Sequence, residues 1–231
     1  MAALKLFSLG SASAFLMANA VHQTAKQTSL ASDGTSPTYT VKLGEDHVCL
    51  DEINAARQAA GLEHFKTESG AELAWPPVTL EDDEQHNAAW NPVCEALTGE
   101  ESADVAKSAN ANGFKTGTYA YIALESATAD CAAAVSHWKD AASNFTTIPP
   151  AKNNQTTLYD KQQNISFVAM YNPLEDAAAD CRVVTCTRSA ATQSPGVGGV
   201  GALSAGEGKT GYALLCMTTP EALTAEAAPF K

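Results

Sequence analysis

The chain has 231 residues, and its 26 acidic against 14 basic side chains give a formal net charge of −12. A chain of this length can bury a full hydrophobic core within one domain. The excess of negative charge repels phosphate backbones and anionic lipid, which argues against nucleic acid as a partner.

The N-terminus has the layout of a secretory leader. Lys5 precedes an apolar run over residues 6–17, and the small residues around Ala20 resemble a cleavage site. Because the run is too short to cross a bilayer, we predict a signal peptide over residues 1–20, with a buried first helix as the alternative. Residues 21–45 are rich in Ser and Thr and predict a flexible lead-in.

A single folded domain is predicted after the lead-in. It is expected to span residues 46–220, followed by a C-terminal tail over residues 221–231. Its first element is a helix over residues 49–60, because apolar side chains recur there at helical spacing and Gly61 is a natural stop.

Three further helices are predicted from caps and breakers. Thr79 is a candidate N-cap for a second helix, which should end before Pro92. A third is predicted over residues 101–112. A fourth should open at Thr128 and run to about Asn144.

Four segments have the composition of strands. Residues 116–124, 165–173, 181–188 and 211–218 are rich in aromatic and β-branched side chains. The glycine-rich residues 189–210 predict a mobile loop between the last two. The last three of these strands follow the helices and are expected to form an antiparallel meander. Helices followed by such a meander indicate an α+β fold with helices covering the sheet.

One helical stretch carries a pair of candidate chemical groups. His137 and Asp140 lie three residues apart, close enough for their side chains to touch. A His–Asp pair without a nucleophile is no catalytic site, so we interpret it as surface decoration on a core-facing helix. The other histidines have no recurrent spacing, and the acidic run 81–84 lacks the alternation of a calcium loop. We therefore predict no catalytic residue, no metal ligand and no cofactor.

Six cysteines follow the leader: Cys49, Cys94, Cys131, Cys181, Cys186 and Cys216. An even number in a secreted chain indicates three disulfides. Metal binding is the alternative, but the spacings of a zinc site are absent from the sequence. Cys181 and Cys186 are five apart in a predicted strand, so they should face opposite sides and bridge to different partners.

Three sequons for N-linked glycosylation begin at Asn144, Asn154 and Asn164. The motif is short and arises by chance, so each asparagine is only a candidate. Asn164 opens an apolar run, which makes it the least suitable of the three.

Several of these segments resemble the CAP superfamily of cysteine-rich secretory, antigen 5 and pathogenesis-related 1 proteins. The first helix carries their N-x-x-R pattern, residues 134–145 resemble their W-Y-D helix, and the last predicted strands resemble their closing strands. The matching positions in the first helix are Ile53, Asn54, Arg57 and Gly61. This resemblance implies an αβα sandwich with an antiparallel sheet flanked by helices.

A second resemblance is to the sporozoite surface antigens of Eimeria-type coccidian parasites. The leader, the six cysteines, the low-complexity lead-in and residues 172–181 carry it. It implies a non-enzymatic surface or secreted antigen, located in the secretory pathway and then at the cell surface or outside the cell. The expected role is host-cell attachment and immune recognition, with host cell-surface molecules as partners.

The two resemblances imply different relations to ligands and membranes. The antigen family is typically held by a GPI anchor, whose apolar signal tail is absent from this sequence, so membrane contact is expected only through such an anchor. The alternative function is that of a CAP-type secreted module that binds a lipid, a sterol or another small ligand.

The resemblance to CAP proteins also bears on metal and disulfides. Their metal cleft uses two His and two Glu, and residues such as Ala141 and Asn164 stand at two of those positions. The cleft is therefore expected to be absent. By analogy, the implied disulfides are Cys181–Cys216, Cys94–Cys186 and Cys49–Cys131.

Overall fold

A computed structural model of the chain describes residues 38–67, 73–78, 88–99, 114–154, 157–189 and 208–230. Four strands and four α-helices lie in this described part of the chain. The strands are β1 (Tyr39–Leu43), β2 (Thr118–Leu124), β3 (Ala178–Arg188) and β4 (Thr210–Thr219). The α-helices are α1 (Leu50–Ala59), α2 (Asn91–Thr98), α3 (Cys131–Asp140) and α4 (Gln162–Met170).

The four strands form one antiparallel sheet in the order β1-β3-β4-β2. The predicted strands 116–124, 181–188 and 211–218 are confirmed as β2, β3 and β4. The predicted meander is wrong, because the element before β3 is a helix and β2 pairs with the far side of β4. β1 lies within the segment predicted as a flexible lead-in over residues 21–45, so the folded part begins before the predicted boundary at Asp46.

Helix α4 replaces the strand predicted over residues 165–173. The segment contains Ile165, Phe167 and Val168, which favour strands, and this composition misled the prediction. In the structure the helix packs along the outer edge of β2. There Ser166 Oγ accepts a hydrogen bond from the backbone nitrogen of Tyr121 at 3.0 Å. Tertiary contact therefore overrides local propensity at this segment.

Side chains alternate along the strands between two apolar clusters, one on each face of the sheet. Val183 and Leu214 join a cluster with α1 and α3, whereas Val184 and Leu215 join a second cluster with α2. The predicted α+β class with helices against an antiparallel sheet is confirmed. The finer assignment, a CAP-like sandwich, stays a prediction.

The three disulfides tie helices and strands together. Cys49–Cys131 joins the start of α1 to the start of α3, and Cys94–Cys186 joins α2 to β3. Cys181–Cys216 links directly opposite residues of β3 and β4. These are the pairs that the resemblance implied, and Cys181 and Cys186 do face opposite clusters.

The ends of the helices correct two further predictions. Helix α2 was not predicted, and Pro92 lies in its first turn, where the missing N–H has no helical partner to lose. Asp130 rather than Thr128 caps α3, since its side chain accepts a hydrogen bond from Ala133 N. The helix ends at Asp140, and a 3-10 turn continues to Asn144. The stop at Gly61 is confirmed, with a left-handed φ of 79°.

Residues 221–230 do not extend away as a tail. Ala222 and Leu223 are buried in a third apolar cluster with Tyr159 and Val168, and Phe230 packs against it. The backbone nitrogen of Ala222 donates to Thr118 Oγ1 at 2.9 Å. The predicted signal peptide, the helices from Thr79 and over 101–112, and most of the glycine-rich loop lie outside the described residues.

Helix α2 approaches the sheet closely at Gly211. A Cβ atom placed there would lie 2.6 Å from the carbonyl oxygen of Leu97 and 2.8 Å from its Cβ. Only a residue without a side chain fits between the helix and β4 at this point.

Candidate functional surface

The His137–Asp140 pair lies on the exposed side of α3. Both side chains are exposed, while Ala134, Val135 and Trp138 of the same helix are buried. The surface interpretation of the pair is therefore confirmed. Among the described residues no group of three or more His, Cys, Asp or Glu could hold a metal ion. The absence of a catalytic or metal site stays a prediction for the whole chain.

A hydrogen-bond network is centred on the Asp180 carboxylate, a residue that the sequence analysis did not identify. Its side chain is 5% exposed. Oδ1 accepts from the backbone nitrogen of His47 at 3.0 Å, and Oδ2 accepts from Trp75 Nε1 at 2.6 Å and from Arg182 Nε at 2.8 Å. An acidic residue inside the apolar run of β3 was the available signal, because buried carboxylates are normally paired.

The donors around Asp180 tie three segments of the chain together. His47 lies just before α1, Trp75 belongs to the segment 73–78, and Arg182 is on β3. The Trp75 ring lies 6.2 Å from that of Trp90 in a stacked arrangement. With three donors on its two oxygens, this carboxylate positions the chain and is not arranged as a general base.

Arg57 is the second buried charged group, at 2% exposed. Its guanidinium donates to the carbonyl oxygens of Glu63, Met170 and Asn172 at 2.8–3.0 Å and lies 3.7 Å from the centre of the Phe65 ring. No ion pair to Arg57 exists within the described ranges. Burial lowers the pKa of Arg57 to about 10, which leaves it charged at neutral pH. It is a structural clamp between the end of α1 and the end of α4.

Two buried tyrosines, Tyr119 and Tyr159, and the half-buried Tyr121 are also structural. The hydroxyl of Tyr159 donates to the Pro150 carbonyl at 2.6 Å, and that of Tyr119 donates to the Lys115 carbonyl at 2.5 Å. Burial raises the pKa of Tyr159 and of Tyr121 to about 12, and burial together with Glu221 raises the pKa of Tyr119 further. These phenols are neutral at physiological pH.

One half of the sheet carries polar side chains on the same face as α1 and α3. Alternation from Val183 and Leu214 places six residues there, and we call them the threonine face: Thr40, Lys42, Thr185, Thr187, Thr210 and Tyr212. None belongs to an apolar cluster, and each is partly or fully exposed.

The threonine face has a regular geometry. Thr40, Thr187 and Thr210 form one row across β1, β3 and β4, and Lys42, Thr185 and Tyr212 form the next. The hydroxyls of Thr187 and Thr210 are 3.2 Å apart and hydrogen-bonded. Neighbouring strands are about 4.8 Å apart, so the hydroxyls, one phenol and one ammonium group form a regular array on three hydrogen-bonded strands.

The predicted glycosylation residues differ in access. Asn154 is exposed, Asn144 is half-buried, and Asn164 is completely buried. The amide nitrogen of Asn164 donates to the Leu158 carbonyl at 2.7 Å. The folded chain therefore leaves no accessible amide for a sugar at Asn164, and glycosylation of all three residues stays a prediction.

Comparisons with known proteins cover most of the chain. The family model of the sporozoite surface antigen (SAG) protein domain matches residues 45–231. The sporulated oocyst TA4 antigen of Eimeria tenella is 32% identical over 190 residues, which are 79% of this chain and 69% of that protein. No solved structure gives a significant match. In the described part of the chain, no helix is long and apolar enough to span a bilayer.

Proposed function

Because the chain belongs to the sporozoite surface antigen family, we propose that it is a non-enzymatic parasite antigen that takes part in host-cell attachment and immune recognition. The family implies a surface or extracellular location. Three disulfides accord with that location, since they persist in oxidising compartments. On this proposal the leader over residues 1–20 directs the chain into the secretory pathway.

The threonine face is the surface that we assign to attachment. A binding surface on a cross-linked sheet loses little conformational entropy on association. Tyr212 offers a rigid amphipathic ring, and the threonine hydroxyls around it can donate or accept hydrogen bonds. Lys42 places a positive charge on this face of an otherwise acidic protein, which suits a partner with negative groups.

The proposal is tested by binding of the full, disulfide-intact chain to intact host epithelial cells. Reduced and alkylated protein is the control, because it has the same composition without the fold. Saturable binding that reduction abolishes is the expected result. Equal binding by both forms would contradict an attachment function of the folded surface.

A pair of charge reversals tests the assigned surface. Lys42→Glu changes the threonine face, and Lys139→Glu makes the same change on the exposed side of α3. We expect Lys42→Glu to weaken cell binding about tenfold, or ~1.4 kcal/mol, and Lys139→Glu to leave it within about twofold. The reverse order would move the attachment surface to α3.

Display to the immune system has a separate test. Antibodies raised against the folded chain should label intact, unpermeabilised parasites and should lose most of their reactivity when the chain is reduced. Labelling only after permeabilisation would contradict a surface location. No observation on the described residues favours the alternative function of lipid or sterol binding.

A further inference from the structure

The three sequon asparagines differ in how accessible their side-chain amides are and in the hydrogen bonds that these amides make. An N-linked glycan is attached to the Nδ2 atom of asparagine, so the folded protein must leave that atom accessible. The sequence sets apart only Asn164, through the apolar run that it opens. Hydrogen bonds and burial distinguish all three sites.

Asn164 has no accessible amide. It is 0% exposed, its Nδ2 donates to the carbonyl of Leu158 at 2.7 Å, and its Oδ1 accepts from Asn144 at 2.8 Å. The residue lies on the first turn of α4, between the 3-10 turns Ala141–Asn144 and Leu158–Asp160. A sugar on Nδ2 would have to displace that turn.

The side-chain amide of Asn144 takes part in the same hydrogen bond to Asn164. Its Nδ2 atom is the donor to Asn164 Oδ1, and its side chain is half-buried at the end of the 3-10 turn that follows α3. A glycan on Asn144 would replace one of the two Nδ2 hydrogens and would have to fit beside the buried Asn164 side chain to which Nδ2 donates.

The side chain of Asn154 is neither buried nor hydrogen-bonded to another described residue. Its side chain is exposed, and no side-chain hydrogen bond of Asn154 occurs in the described ranges. The residue ends a 3-10 turn, Lys152–Asn154, that is fixed to the C-terminal segment. The backbone nitrogens of Lys152 and Asn153 donate to the carbonyls of Thr224 and Ala225 at 3.1 and 3.0 Å. The turn thus holds the exposed side chain of Asn154 at the surface.

We propose that Asn154 is the N-glycosylated residue of this protein and that Asn144 and Asn164 stay unmodified in the folded chain. The proposal rests on the proposed function, because the modification requires entry into the secretory pathway. The co-reactant is a lipid-diphosphate-linked oligosaccharide. Asn154 Nδ2 forms a bond to the anomeric carbon and loses one proton, and the lipid diphosphate leaves with the electron pair of the broken C–O bond.

The position of Asn154 keeps the glycan away from the threonine face. Its turn contacts residues 224 and 225, which follow the C-terminal end of β4, whereas Thr210 opens that strand. At about 3.3 Å per residue, the ten residues of β4 separate the two ends by roughly 30 Å. A glycan at Asn154 would shield the C-terminal segment and leave the attachment surface open.

The test is to secrete the full chain from a eukaryotic cell line and map glycans on the secreted, disulfide-bonded protein. Glycosidase treatment in heavy-oxygen water marks each occupied asparagine by mass. The chain carries an added C-terminal sequon, whose occupancy shows that the glycosylation machinery acted. Variants Asn154→Gln, Thr156→Ala and Asn144→Gln are made in parallel.

We expect occupancy at Asn154, complete loss of glycan from the chain proper in Asn154→Gln and Thr156→Ala, and no change in Asn144→Gln. Occupied Asn144 or Asn164 in the secreted protein, or an empty Asn154 beside an occupied control sequon, would overturn the proposal. The chain is expressed once with its own leader and once with a foreign leader. This comparison separates a failure of the glycosylation proposal from a failure of the proposed secretion. Glycan at Asn154 only with the foreign leader supports the glycosylation proposal and contradicts the predicted signal peptide.

Discussion

Arg57 shows how one residue serves contacts that its local sequence does not reveal. Its place in a helix follows from the spacing of its neighbours, and its place in the N-x-x-R pattern follows from the resemblance. Its acceptors do not follow from either, since the Met170 and Asn172 carbonyls lie 113 and 115 residues away. Asp180 is similar, because two of its three donors come from segments more than 100 residues distant. Local patterns predict which residues are buried better than they predict partners.

Replacing Arg57 with lysine should destabilise the fold by roughly 2–4 kcal/mol. The ammonium group keeps the charge but lacks the planar fork that reaches three carbonyl oxygens, and it leaves buried acceptors unpaired. Guanidinium unfolding followed by tryptophan fluorescence measures the change. Gln58→Lys on the exposed side of α1 is the matched control, with an expected change within about 0.5 kcal/mol. Equal effects of the two variants would show that the carbonyl contacts contribute little.

Helix α4 is the element that the sequence analysis assigned to the wrong class. Its β-branched and aromatic side chains predict a strand, and only its position beside β2 explains the helix. Gln162 Nε2 donates to the Tyr119 carbonyl at 3.1 Å, and Ser166 Oγ accepts from Tyr121 N. These side chains bind backbone groups of an edge strand, which would otherwise be open to pairing with another chain. Strands β2, β3 and β4 were predictable because their composition and tertiary environment agree.

Ser166→Ala should therefore cost roughly 1–3 kcal/mol, because it leaves the partly buried N–H of Tyr121 without its acceptor. Ser136→Ala, on the exposed face of α3, is the control and should be nearly neutral. Chemical unfolding measures the difference. Hydrogen exchange at the Tyr121 amide gives a local readout and should accelerate in Ser166→Ala only. Unchanged exchange at that amide would rule out the assigned role.

At the scale of the whole molecule, the fold class was predictable and the strand order was not. Helices followed by a run of strands indicate an α+β fold whatever the strand pairing, whereas the order β1-β3-β4-β2 depends on contacts across most of the chain. β1 alternates between apolar Tyr39, Val41 and Leu43 and polar side chains, as a half-buried strand does, but it directly follows a Ser- and Thr-rich stretch and was missed. It pairs with β3 and buries Val41 in the cluster with α2. The disulfide pairs were implied by resemblance, and the threonine face follows only once the register is known.

The buried phenols make the whole fold sensitive to alkali. The pKa of Tyr121 and of Tyr159 is about 12 in the folded chain, above the ordinary value of 10. A raised folded pKa means that the stabilisation is complete below about pH 10 and is lost as the pH rises through 12. We expect the free energy of unfolding to fall between these values, in parallel with phenolate absorbance at 295 nm.

Tyr159→Phe separates this effect from general alkaline damage. At pH 7 the variant should be about 1 kcal/mol less stable, because the hydrogen bond to the Pro150 carbonyl is lost. Between pH 10 and 12 it should lose less stability than the unmodified chain, since one titrating group is gone. An identical decline in both proteins would place the alkaline sensitivity outside Tyr159.

The three disulfides overlap along the chain so that a broken backbone need not release a fragment. Cys49–Cys131, Cys94–Cys186 and Cys181–Cys216 together span every peptide bond from Cys49 to Cys216. A protease that cuts once anywhere in that interval leaves two pieces joined covalently. After such a cut the assembled surface outlasts the continuous polypeptide, and only reduction takes it apart.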